Sequence, residues 1–191
     1  MSLSTRVIAA LGAVVVIGAG TLGGSIAYAT GQKAPTTTKV TVTVGRDSHA
    51  FTPSCYNDGK PLDDAANKNC SVIANDPTKF PSVAVKTSDR IGVGIDPDSA
   101  NNGWRAYTNG GGGQGSAQIQ AYQKGSTFSG LTPAVSVLTQ VRDTQLTVIE
   151  FDPKTADQQK PGILAVWFIN LKNNAAPVGA ADASGDSSQG Q

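Results

Sequence analysis

From Lys39 onward the chain is written in short runs in which apolar, often β-branched, residues alternate with polar ones. Val40, Val42 and Val44 are interleaved with Thr41 and Thr43; Val83 and Val85 follow, then Ile91, Val93 and Ile95. Trp104 and Ala106 form a shorter pair, Ile119 with Ala121 and then Phe128 mark weaker runs, and Val135–Val141 and Leu146–Phe151 alternate again. Nearly every run closes on a Gly, Pro, Asn or Asp cluster such as Asp96-Pro97-Asp98. A repeat of two sends alternate side chains to opposite faces, so each run predicts a strand with one buried face. Helical periodicity is confined to one or two turns near Pro61–Ala66.

The spacing predicts an all-β domain over residues 39–172, an Ig-like antiparallel β-sandwich of about seven strands. Trp104 falls after a pair of alternating strands, where an immunoglobulin-type sandwich places its core tryptophan, although the usual inter-sheet disulfide is missing. The run Gly162–Leu171 breaks the rule, being apolar on both faces. Two readings compete for it: a central strand covered by the 55–70 loop or the N-terminal segment, or an exposed apolar patch that docks a partner.

The N-terminus reads as an address. Met1–Arg6 carries one positive charge, and twenty-three uncharged residues follow from Val7 to Ala29, ending in the small-x-small exit Ala27-Tyr28-Ala29. This hydrophobic helix, residues 1–29, is either a cleaved secretory signal or a retained membrane anchor, since about 20 apolar residues span a bilayer. Five glycines weaken a lasting helix and Gly20 and Gly24 offer a helix-contact pair. Either way, Arg6 orients the remainder outside the cytoplasm, secreted or anchored to the cell membrane. Residues 30–38 read as a linker and 173–191, free of aromatics, as a disordered tail.

Without residues 1–29 the chain carries 14 basic and 14 acidic residues, which gives it no electrostatic reason to seek nucleic acid. In an exported protein Cys55 and Cys70, with fourteen residues between them, read as a structural disulfide. Closing that polar loop contributes about 3 kcal/mol in the chain-entropy account.

The segments Val40–Asp47 and Cys55–Asp63, the second cysteine Cys70, and the run Asp98–Trp104 together resemble an uncharacterised family of exported actinobacterial proteins, commonly lipid-anchored and known by a domain of unknown function. The resemblance spans about residues 40–172. It implies location and fold and carries no chemistry. The chain departs from the commoner form in having no lipid-attachment cysteine after its apolar segment.

Reactive side chains are scarce. His49 is the sole imidazole, Glu150 the sole glutamate, and no Gly-x-Ser-x-Gly elbow is present, so nucleophilic catalysis would have to be built on His49 with Asp47 beside it. Zinc and copper need several His or Cys ligands, so no metal site and no cofactor is expected. The oxygen-rich loop Asp96–Gly103 fails the EF-hand pattern at Ala100, and Asp and Asn there serve turns as readily. Glu150 and Asp152 fall on one face of a strand, unlike a glycosidase pair, and Glu150 reads as a solvated side chain. Asn109–Gly115 lies between strands and reads as a flexible hairpin loop rather than a phosphate cradle.

What remains is a non-enzymatic, envelope-associated domain that binds a protein or cell-wall partner, with Asn101, Asn102, Gly103, Trp104, Gly110 and Gly113 as the candidate partner-binding loop. The alternative comes from a weaker likeness. Strand, turn, strand, Asn/Gly loop and Trp104 are similar to the chagasin-like inhibitors of papain-type cysteine proteases, which insert three end loops into the protease cleft. Here those loops would be Asn101–Gly103, Gly110–Gly115 and Asp152–Pro161. The family's Asn-Pro-Thr-Thr-Gly and Arg-Pro-Trp signatures are not met.

Overall fold

A computed structural model describes residues 38–110, 115–156 and 158–176. The signal or anchor with its exit at Ala27 and Ala29, nearly all of the linker, Gly113 and the tail beyond Ala176 lie outside the described residues. Within them are ten strands: β1 Val40–Val44, β2 Asp47–Phe51, β3 Cys55–Tyr56, β4 Ser82–Ala84, β5 Arg90–Ile95, β6 Trp104–Thr108, β7 Ala117–Gln123, β8 Thr132–Pro133, β9 Asp143–Phe151 and β10 Ile163–Lys172. Two α-helices interrupt them, α1 Asp64–Ala74 and α2 Pro97–Asn102.

The strands form two sheets. One is ordered β2-β1-β5-β8; the other runs β3-β10-β9-β6-β7, with β4 also on β10. The chain is therefore mostly β with antiparallel sheets, as the alternation requires. One pair departs from that rule: β4 runs parallel to β10, setting Leu171 opposite Val83.

Val40, Val42 and Val44 alternate buried with half-buried threonines, and their cross-strand partners Ile95, Val93 and Ile91 are buried too. These residues join Trp104, Leu146, Val148 and Trp167 of the second sheet in one apolar cluster. Both tryptophans are fully inaccessible, and each finds an acceptor for its indole N–H: Trp104 at the Ser126 carbonyl, 2.7 Å away, and Trp167 at the Phe51 carbonyl, 3.2 Å away. Without such a partner the buried donor would cost about 1–3 kcal/mol.

β10 is buried on both faces, and the covered-strand reading holds. Trp167 and Ile169 enter the shared core, whereas Val166 and Phe168 face a second cluster with Cys55, Leu62, Cys70 and Phe80. The cover is the Cys55–Cys70 segment, more regular than the sequence suggests. α1 extends over eleven residues. Asp63 caps it by accepting from the Ala66 N–H at 2.8 Å, and the disulfide ties Cys70 to β3 with the Cα atoms 5.6 Å apart. Cys70 is its one buried residue, and Ala66, Ile73 and Ala74 pack half-buried beside it, a stripe at helical spacing made mostly of small side chains.

Other expectations are corrected. Val135–Val141 forms no strand: Ala134–Ser136 is a 3-10 turn, Val137 and Leu138 are buried side by side, and Val135 is exposed. The Asp96–Gly103 loop contains α2, capped by Asp96 with Pro97 at its first position. β2, which the alternation did not mark, is an edge strand exposed from Asp47 to Ala50, with only Phe51 packed against the shared core.

Candidate functional site

The proposed partner-binding loop does not form one surface. Asn101 is exposed, but Asn102 turns inward and donates from Nδ2 to Glu150 Oε1 across 2.7 Å. Gly103 has φ +106°, and a Cβ there would meet the Tyr122 hydroxyl at 2.6 Å. Trp104 is wholly buried and so cannot touch a partner. Gly110 lies past the opposite end of β6, so tightly packed that a Cβ would sit 2.1 Å from the Val137 carbonyl oxygen. The same geometry separates the three loops of the inhibitor-like arrangement. Phe151 N–H donates to the Gly103 carbonyl, placing the start of the 152–161 loop beside Asn101–Gly103, whereas Gly110 stands at the far end of β6.

Glu150 is not solvated but 4% exposed. Burial pushes its carboxyl above the ordinary value, against the hydrogen bonds from Asn102 and Ser99 that favour the charged form. Asp96, nearby on α2's cap, goes the other way: burial opposes ionisation, but hydrogen bonds from Thr38 and Ser99 hold it below its ordinary value. Two carboxylates pushed apart are a pattern found in acid–base sites. Here their partners are structural, because Asp96 is occupied capping α2 and binding Thr38.

His49 and Asp47 share a face of β2 and line a groove of about 800 Å³ with Arg46, Lys86 and Asp89. No hydrogen bond joins them among the described residues, so nothing orients the imidazole as a base. Nor do the described residues gather three His, Cys, Asp or Glu side chains to hold a metal. Among them no helix is long and apolar enough to cross a membrane.

The outward face of the second sheet carries a second, smaller and more apolar concavity. Between α1 and β6 a cleft of about 400 Å³ opens onto the second apolar cluster. Its floor includes Leu62, Ile149, Val166 and Phe168, and its rim carries Asn67, Ser71, Asn109, Gln145 and Thr147. That combination, an apolar floor with a few polar groups at the edge, is typical of ligand sites of this size. Beside the cleft runs a ladder of rings. The Arg105 guanidinium lies 5.4 Å from the Tyr107 ring centre and 5.3 Å from that of Phe151, and Tyr122 meets Phe151 edge-on at 5.5 Å. Arg105 stands opposite Ile149 in register and Tyr107 opposite Thr147, which fixes the ladder against the cleft's edge.

None of these residues belongs to the loop that the sequence singled out. The signal was present: Arg105 and Tyr107 alternate with the inward Trp104, Ala106 and Thr108, a cation and an aromatic on the outer face of a core strand. No family model matches the chain, and neither a curated protein nor a solved structure does.

Proposed function

We propose that the chain is a non-enzymatic, extracytoplasmic binding module of the cell envelope, built as an Ig-like β-sandwich and belonging to the exported actinobacterial family it resembles. The strand order supports the fold: β10-β9-β6-β7 opposite β5 follows the G-F-C-C′ order facing strand B of an immunoglobulin variable-type domain. The N-terminal charge, apolar run and Ala27-Tyr28-Ala29 exit support the address.

The observation that carries the binding role is the cleft between α1 and β6, a concavity lined mainly by apolar side chains beside a stacked arginine. Its partner is a protein or cell-wall component of the envelope. The test is co-sedimentation of the full chain with isolated cell envelopes. Ala74→Phe, which fills the cleft, should abolish retention, while His49→Ala in the distant groove should leave it unchanged. Equal retention of both variants, or none by the parent chain, would refute the assignment. N-terminal sequencing of the native chain separates the two forms of the address: a start at Thr30 means a cleaved signal, and an intact N-terminus means an anchor.

A further inference from the structure

We infer that the cleft takes an amphipathic carboxylate, a small molecule with an apolar aliphatic or aromatic body and one anionic head, bound with its body on Ile149, Val166 and Phe168 and its head at Arg105. This rests on the binding-module reading and narrows its ligand class.

The argument is one of complementarity. No residue lining the cleft carries a charge, and the floor is apolar, so the buried part of a ligand must be apolar and neutral. The cationic group at its edge is Arg105, whose cross-strand neighbour Ile149 is part of the floor. Arg105 is exposed and forms no ion pair among the described residues. Its guanidinium is held between Tyr107 and Phe151, leaving the N–H edge of a planar group without a protein acceptor. A guanidinium fixed in this way matches the two oxygens of a carboxylate. The rim amides of Asn67, Asn109 and Gln145 add neutral donors and acceptors around the entrance. An uncharged apolar molecule would leave Arg105 unused, and a polyanion would find no further cation, since the lining itself carries none.

The probe pair is octanoate and octanol, which share an apolar body and differ in the head. Titrated against the full chain by calorimetry, with amide shifts of Tyr107 and Ile149 followed by NMR, octanoate should bind saturably and more tightly than octanol. Arg105→Gln should weaken octanoate roughly tenfold and leave octanol unchanged. Arg105→Lys, keeping the charge but not the fork, should fall between. Ala74→Phe and Ser71→Phe should abolish binding of both probes, with thermal unfolding recorded for each variant to confirm that it is folded. No saturable octanoate binding, or the same affinity for octanoate with and without the Arg105 guanidinium, would overturn the proposal. If envelope retention still depends on Ala74 while octanoate fails to bind, the carboxylate ligand falls and the binding module stands.

Discussion

Asn102 on α2 and Glu150 on β9, forty-eight residues apart in sequence, meet across a 2.7 Å hydrogen bond in which the amide donates to the carboxylate. The bond holds the end of α2 against the second sheet just where β9 leaves the core. It also makes Glu150, the only glutamate, a buried group whose environment is set by its neighbours.

Asn102→Ala should therefore destabilise the domain by about 1–3 kcal/mol, because it leaves a buried carboxylate oxygen short of its donor. Denaturant unfolding at neutral pH measures the loss. Asn101→Ala, one residue away and exposed, should stay within about 0.5 kcal/mol of the parent.

The same carboxyl sets a pH dependence. Its folded pKa lies above the ordinary 4.5, mainly through burial, so the folded state holds its proton more tightly than the unfolded chain does. That contribution is complete below pH 4.5 and is lost as the pH rises through the folded pKa. Asp96 has the opposite sign: its lowered pKa gives stability above 3.8 that is lost as the pH falls through its folded value. Glu150→Gln should remove the first loss while leaving the second. The stability of the variant relative to the parent should rise across the window upward from pH 4.5, as read from urea midpoints at successive pH values.

Gly110→Ala should be more damaging than its small volume suggests. The added Cβ would meet backbone at Val137 and Leu138, which cannot swing aside as a side chain can. A loss of about 1–3 kcal/mol is expected from overpacking, measured by thermal unfolding.

Replacing Cys55 and Cys70 together by Ser should cost about 3 kcal/mol and release α1 from β3. Hydrogen exchange should then speed up in Asp64–Ala74 while β5 and β9 stay protected. The cleft has α1 as one wall, so envelope retention should fall with it.

β1 and β6 were legible because inward apolar residues alternate with exposed or half-buried ones, and β5 because its inward Ile91, Val93 and Ile95 alternate with glycines. β10 was legible as a strand yet ambiguous, since a run apolar on both faces does not say what covers it. Only the first turn of α1 was legible, because its stripe of Ala66, Cys70, Ile73 and Ala74 is made mostly of small side chains, and Val135–Val141 misled because its alternation falls on a 3-10 turn with Val137 and Leu138 buried side by side. The oxygen-rich Asp96–Gly103 loop holds a helix, α2, that Asp96 caps, a local structure its turn-like composition did not distinguish from a loop.

By itself, the order of residues determined where chain must be extended and which side chains must turn inward, because these follow from local periodicity, and it set two cysteines at a spacing that lets them pair, as Cys55 and Cys70 do. Only the tertiary structure decided that Glu150 is buried, that Gly103 and Gly110 stand at opposite ends of β6, and that Arg105, Tyr107, Phe151 and Tyr122 assemble beside a cleft. Those facts depend on which strands become neighbours, and neighbours in a sheet are chosen by the packing of the whole core rather than by any one segment.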